Sequence, residues 1–438
     1  MKHIVGFFNG VMQRYLPDPF LFVIILTFAV FGFGLIFTDS TPINLVQYWG
    51  EGFWGLLAFS MQMILVLVTG HVLASSPLCK KGLTRLASLP STPGQAVVLV
   101  SVISLLASFI NWGFGLVVGA LFSKELAKQV KYVDYRLLIA SAYSGFVIWH
   151  GGLSGSVPLT IATPGHFAED IIGLIPTSQT IFSTFNLVIV AALFVAVPLV
   201  NRLMMPPKED AFVVDPELLK DFQAAAAETE NMTPAERLEN SPIISWAIGA
   251  VGIVFLSYYF VEKGLLLNLD IVNFLFLFLG ILFHGTPRNF LKAVTEAVKG
   301  TSGIIIQFPF YAGLMGIMVS SGLAAVISEA FVSISTETTF AMFVFWSAGI
   351  VNFFVPSGGG QWAVQAPVVL DAAQALDVPT AKAAMAVAWG DAWTNMIQPF
   401  WALPALAIAG LKAKDIMGYC VMILLISGVI ISLGLLLF

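Results

Sequence analysis

Charge is what this chain has least of. Only 10% of its 438 residues are Asp, Glu, Lys or Arg, while 58% are hydrophobic, and the mean hydropathy is +0.91. A soluble domain carries about a quarter charged residues, so a single core wrapped in a hydrated surface is excluded and a polytopic membrane protein is implied. Basic clusters are missing, which argues against a nucleic-acid partner. The two cysteines, Cys79 and Cys420, lack metal or disulfide spacing and read as packing residues. There is no HExxH, no pair of intramembrane carboxylates and no nucleophile–base pair, so neither an enzyme nor an organic cofactor is expected. The first residues lack a short apolar core ending in a small-residue cleavage site, so no cleaved signal peptide is expected. Residues 1–18 read instead as an amphipathic helix in the membrane interface.

What is present is a series of apolar runs of about 20 residues, the length of a membrane span. Continuous candidates are Pro19–Thr38, Trp54–Ser76, Thr180–Leu203, Pro242–Val261, Ile271–Phe283, Ser302–Gly322 and Ile416–Phe438. Two further stretches, Gln95–Lys131 and Thr338–Ala375, have the length to enter and leave by one face, with tips at Asn111–Gly115 and Asn352–Gly360. Tyr135–Gly173 and Thr380–Leu411 read as crossings interrupted at Gly151–Ser156 and Ala392–Gln398.

With both hairpins re-entrant and the N-terminus cytoplasmic, only Lys263 and Lys382 fall outside, and the other 18 of the 20 basic residues fall inside. That asymmetry is the positive-inside signature. It gives nine crossings, an external C-terminus and a first hairpin that enters from the cytoplasm.

The interruptions come in pairs. Asn111 to Pro158 and Asn352 to Pro399 are both separated by 47 residues, and Gln62, Ser75, Ser76 and Leu78 match Gln307, Ser320, Ser321 and Leu323. Five crossings separate the first span from its counterpart at Ile271, an odd number, so the second copy is inverted. The expected fold is therefore all-α and polytopic, with inverted-topology repeats, two re-entrant hairpins and two broken transmembrane helices. Its parts are the N-terminal helix (1–18), a first repeat (19–203), a cytoplasmic linker (204–241) and a second repeat with one extra span (242–438). Met205–Ser241 is charged, contains proline and is Ala-rich, and reads as a tether with one surface helix.

Paired interruptions in two halves of a membrane protein point to a transporter's binding site, because backbone freed from a helix is tolerated at membrane depth only where protein or a water-filled cavity covers it. The candidates for binding substrate are Asn111, Ser154 and Ser156 in the first copy and Asn352, Ser357, Gln361, Thr394, Asn395 and Gln398 in the second. The glycines beside them, Gly113, Gly115, Gly151, Gly152, Gly155 and Gly358–Gly360, are expected to let backbone N–H groups approach a ligand.

Asp391 lies deep in an apolar segment, and an intramembrane carboxylate marks a functional site by default. A continuing helix would put Thr394, Asn395 and Gln398 on its face. His150 holds the matching position in the first copy, at the same offset of 241 residues that relates Asn111 to Asn352. Asp391, with His150, is the candidate for ion coupling; plain packing is the alternative for each. Trp112, Trp149, Trp389, Trp393 and Trp401 gather at the breaks, either lining a pocket for an apolar tail or packing. No Lys or Arg remains for the interior, so an anionic substrate would meet no fixed cation. Carrying it inward against an inside-negative potential costs about 2.3 kcal/mol per 100 mV. A co-transported H+ or Na+ would offset both.

The runs WGEGFWGLLAFSMQM, INWGFGLVVGA, FPFYAG, VPSGGGQW, QPFWALPALAIAGL and DIMGYC resemble the bacterial short-chain fatty acid transporter family, the AtoE-type permeases within a wider ion-transporter superfamily. The resemblance covers essentially the whole chain. It implies import of acetoacetate- or butyrate-class anions across the inner membrane, elevator-type alternating access and a homodimer. It also puts a possible Na+ site near Asn111, Asn352 and Asn395, although the Ser-Asn-Thr triplet of the superfamily is absent here. The competing expectations are a carrier of another organic anion such as a dicarboxylate, which the lack of intramembrane Arg disfavours, and a non-coupled channel.

Overall fold

The structure, a computed structural model, describes residues 2–15, 17–166, 168–215, 219, 232–264, 269–299, 301–355 and 358–438. Every regular element among them is helical. Among the described residues, seven helices are long and apolar enough to cross a membrane, and an eighth candidate is a bent pair. Burial of their backbone polar groups within each helix is what makes such segments viable in hydrocarbon.

The first repeat opens with α2 (Pro19–Phe37), α3 (Pro42–Gly52) and α4 (Leu57–Ser75), after the short α1 (Lys2–Tyr15). At Ser76 the chain turns by 78° into α5 (Pro77–Ala87). A hairpin follows, α6 (Pro93–Ile110) and α7 (Trp112–Gln129), then the broken helix. The latter is α8 (Tyr135–Ser144), a 3-10 segment Gly145–Gly151 and α9 (Ser156–Ile161). After the short α10 (Glu169–Ile172), α11 (Thr184–Leu203) closes the repeat. The first break thus begins at Gly145, six residues before the expected Gly151.

Beyond the linker helix α12 (Pro234–Glu239) and the extra span α13 (Pro242–Lys263), the order recurs. It runs α14 (Leu269–His284), α15 (Pro287–Val298), α16 (Ser302–Ser320) and α17 (Leu323–Val332). The second hairpin is α18 (Phe340–Phe354) and α19 (Gly358–Ala375). The second broken helix is α20 (Thr380–Thr394), a 3-10 turn Asn395–Ile397 and α21 (Pro399–Ala409), and α22 (Ala413–Leu437) ends the chain. The Ala-rich part of the linker lies outside the described residues.

Local sequence explains the joints. Thr41 and Thr286 each accept an N–H bond from the Asn three residues on and are followed by Pro, which starts α3 and α15 alike. Gly322, at φ 78, lets α16 turn into α17 in a conformation other residues resist. Asp134 caps α8 and also accepts from the linker's Phe212 N–H (2.8 Å). Burial pushes its carboxyl above the usual range, opposed by those N–H bonds. Arg136 lies over the Phe212 ring and pairs with Asp415 at 3.5 Å, so the linker is docked on the start of α8.

The repeats exchange their leading helices. α2 and α3 pack on α16 of the other copy, while α14 and α15 pack on α4. Gly52 on α3 and Gly316 on α16 meet so closely that neither has room for a Cβ. The α4–α14–α15 contacts form two small apolar clusters of their own (Val68, Val72, Ala293, Ala297; Leu73, Val272, Phe276), separate from the main core. The hairpins and broken helices lie in that main core, together with residues of α2, α3, α11, α16 and α22 and with Val66 and Leu67 of α4. Within it the two broken helices run antiparallel. Tyr135 at the start of α8 bonds Ala409 O at the end of α21, Tyr143 bonds Asn395 O, and His150 bonds Ala388 O. Position rises along one as it falls along the other, as inverted copies require.

Candidate functional site

His150 and Asp391 meet. Both are fully buried, and His150 Nε2 lies 4.0 Å from Asp391 Oδ1. Residues related by a two-fold operation touch only where they sit on its axis, so this pair marks the pseudo-axis between the copies. His150 Nδ1 is 2.7 Å from Ala388 O, which makes Nδ1 the donor and leaves Nε2 facing the carboxylate. Neither Nε2 nor Asp391 Oδ2 has another partner among the described residues.

A frame of amides holds Asp391 in the second copy. Asn352 Nδ2 faces three acceptors: Asp391 O at 2.8 Å, Thr394 Oγ1 at 3.0 Å and Asn395 Oδ1 at 2.7 Å. Thr394 Oγ1 donates onward to Gly349 O (2.8 Å), and Asn395 Nδ2 lies 3.4 Å from Asp391 Oδ1. Gln398 Nε2 donates to Asn352 O and Phe353 O, both at 3.1 Å. These are last-turn carbonyls of α18 that the helix itself leaves unpaired. Gln361 Nε2 donates to Ala348 O and Gln365 Oε1, each at 2.7 Å, pinning α19 to α18. The helix continues past Asp391 to Thr394, so the break starts at Asn395 rather than at the expected Ala392, and Gln398 lies beyond the helix. Ser357 lies outside the described residues.

The first copy is built differently. Asn111 caps α7, its Oδ1 accepting from Gly113 N (3.0 Å) and Phe114 N (3.1 Å). Ser154 accepts from Trp112 N at 3.0 Å, joining tip to break. Ser156 opens α9, half-buried, without a side-chain hydrogen bond among the described residues. The matched asparagines therefore do not form matched tips. Asn111 separates two helices, whereas Asn352 sits in the last turn of α18 and the chain turns only after Phe354.

Of the three asparagine oxygens expected near Na+, those of Asn111 and Asn395 already accept N–H bonds, and that of Asn352 has no partner among the described residues. Among the described residues no group of three or more His, Cys, Asp or Glu gathers as a metal cluster.

The break glycines are filled by protein rather than bared for a ligand. A Cβ would meet Val66 at Gly113, Ser108 at Gly115, Trp389 at Gly151, Phe109 O at Gly152 and His150 O at Gly155. At Gly358 it would lie 2.6 Å from His150 Nε2, so the second hairpin rests directly on the axial histidine. A Cβ at Gly359 would meet open space. Close packing of small residues is the ordinary reason for glycine between membrane helices.

The tryptophans divide. Trp389 Nε1 donates to Asn186 Oδ1 (3.0 Å), and Asn186 Nδ2 holds Gly151 O (2.9 Å). Trp393 Nε1 donates to Leu424 O on α22 (2.7 Å). Those two are structural. Trp112, Trp149 and Trp401 instead converge between tip and breaks, with ring centroids 5.4 to 6.1 Å apart. Sequence reasoning missed Asn186 and Phe146, whose ring stacks on Trp149 at 5.6 Å. It also missed the Thr-Pro-x-Asn caps, although Thr41 and Thr286 share the 245-residue offset of Gln62 and Gln307.

The chain has similar relatives among known proteins. The chain is 50% identical over 438 residues to an Escherichia coli (strain K12) protein and 44% identical over 443 residues to one from Haemophilus influenzae, each match covering 99% of both chains. Both are named "Putative short-chain fatty acid transporter". Among solved structures, the Alcanivorax borkumensis YdaH transporter is 17% identical with a TM-score of 0.45, covering 95% of this chain and 98% of that one. Neisseria gonorrhoeae MtrF is 15% identical with a TM-score of 0.37, covering 97% and 96%. The family model described as "Short chain fatty acid transporter" matches residues 1–438, and the chain belongs to that family of multi-pass membrane transporters, which are not enzymes.

Proposed function

We propose that this chain is a secondary active importer of short-chain monocarboxylate anions, of the acetoacetate or butyrate class, in a bacterial inner membrane. A co-transported cation, H+ or Na+, drives it. The observation that carries the coupling is the axial contact of His150 with Asp391. A buried carboxylate left charged costs several kcal/mol, and a cation taken up there removes that cost together with the penalty of bringing an anion inward. The imidazole nitrogen opposite favours H+, since Na+ is a hard cation that prefers oxygen ligands.

Substrate binds between the hairpin tips and the breaks, with Asn111, Ser154 and Ser156 beside the amide frame of Asn352, Gln361, Thr394, Asn395 and Gln398; Ser357 is a further candidate by its sequence position alone. The hairpins are re-entrant, with the N-terminus cytoplasmic and the C-terminus external. Alternating access is of the elevator type in a homodimer. Its support is the exchange of leading helices between the copies, with α2 and α3 on α16 and with α14 and α15 on α4.

Uptake of labelled butyrate into proteoliposomes, with H+ and Na+ gradients imposed separately, tests the reading. Accumulation driven by one gradient is expected. Uptake indifferent to both gradients overturns coupling, and absence of saturable butyrate uptake overturns the substrate.

A further inference from the structure

All four interrupted segments meet at one residue that the coupling site does not use. Trp149 is 1% exposed. Its ring lies 6.0 Å from Trp112 at the first tip, 6.1 Å from Trp401 at the second break and 5.6 Å from Phe146, nearly parallel to it. A Cβ built on Gly358, at the start of α19, would lie 3.3 Å from its Cη2.

Trp149 Nε1 has no hydrogen-bond partner among the described residues, and neither has Asn111 Nδ2, the donor next to Trp112. Buried indole N–H groups normally find an acceptor. Leaving one unmet costs about 1–3 kcal/mol, so each of these two donors calls for an acceptor. Both are N–H donors, which a cation cannot use and an anion can. The rings around them are apolar. A ligand that satisfies both features has a carboxylate at one end and a short hydrocarbon chain at the other.

We infer that Trp149 recognises the substrate. Its Nε1–H, with Asn111 Nδ2, donates to the carboxylate, and the faces of Phe146, Trp112 and Trp401 hold the alkyl chain and set its length. Entry of the chain parts ring contacts worth about 0.5–1.5 kcal/mol each, a modest cost against the burial of the chain's methylenes, at about 0.8 kcal/mol apiece. This inference rests on the substrate class proposed above and adds the residues that read it.

The test is uptake of labelled butyrate in proteoliposomes, with acetate, butyrate, hexanoate and octanoate as competitors. Trp149→Phe keeps an aromatic ring, smaller than the indole, and deletes the donor. It is expected to raise the half-saturation concentration about tenfold, the worth of one hydrogen bond to a charged group, with the maximal rate and the order of competitors kept. Phe146→Ala keeps the donor and shortens the wall, and is expected to move preference toward hexanoate and octanoate. An unchanged half-saturation in Trp149→Phe overturns the inference. So does a fall in maximal rate alone, in both variants, with the competitor order kept, since a purely packing role would produce that. Failure of the wild-type chain to carry butyrate would overturn the proposed substrate instead, and is read from the unmutated protein.

Discussion

At the first hairpin tip an asparagine caps a helix; at the second, the matching asparagine turns away from the tip and into the break of the neighbouring helix. The residues are identical and the repeat relates them, so the difference lies in what each faces. Asn352 meets Thr394 and Asn395, with Gln398 satisfying the carbonyls of its own helix end. The same positions in the first copy are Leu153, Ser154 and Val157. Leucine and valine offer no polar atom, and Ser154 is taken by the Trp112 N–H. Asn111 therefore keeps its oxygen for the nearest N–H donors, those of its own helix. The second copy becomes a rigid amide frame around Asp391, while the first leaves N–H donors and aromatic faces unclaimed. On the proposed reading, the cation belongs to the second copy and the carboxylate to the first.

Stability separates the two copies most sharply at the asparagines. Asn352→Ala strands buried acceptors on Thr394 and Asn395, at about 1–3 kcal/mol for each group left unsatisfied. Asn111→Ala removes one helix cap, worth about 1 kcal/mol. Thermal unfolding of the purified protein in detergent is expected to show the larger drop for Asn352→Ala, and equal drops would break the comparison. A smaller effect is expected from Gln398→Val, which installs the first copy's residue. Two last-turn carbonyls of α18 lose their donor, but the frame around Asp391 keeps its own bonds, so the same unfolding experiment should place this variant between the wild-type chain and Asn352→Ala. A loss as large as that of Asn352→Ala would mean that capping α18, and not the frame, is what the second copy depends on.

Much of this was legible in the sequence, because inversion leaves marks that do not depend on packing. A common offset related His150 to Asp391, and a two-fold operation then allows them to touch, although nothing in one dimension says how near the axis they lie. The paired breaks were legible for the same reason, and so was Asn395 on Asp391's side, whereas Gln398 falls beyond the end of the helix and bonds the end of α18 instead. The tips were not. Whether an asparagine caps its own helix or reaches across to another depends on acceptors 39 to 43 residues away. The break glycines also misled, since a glycine that bares backbone to a ligand and one that admits a neighbouring chain look alike until the neighbour, such as Phe109 O at Gly152, is seen. The aromatic residues sorted only in three dimensions, where Trp389 and Trp393 proved to be hydrogen-bonded to Asn186 and Leu424.

The division between copies hinges on Asp391, and one variant addresses it directly. Asp391→Asn keeps the shape of the side chain and removes its charge. Gradient-driven accumulation of labelled butyrate should be compared with butyrate counterflow at equal ion concentrations, in proteoliposomes holding the same amount of inserted protein. The account predicts that Asp391→Asn loses accumulation and retains counterflow, because substrate is still bound while the cation is no longer carried with it. Accumulation at the wild-type level in that variant would contradict the account and return Asp391 to a packing role.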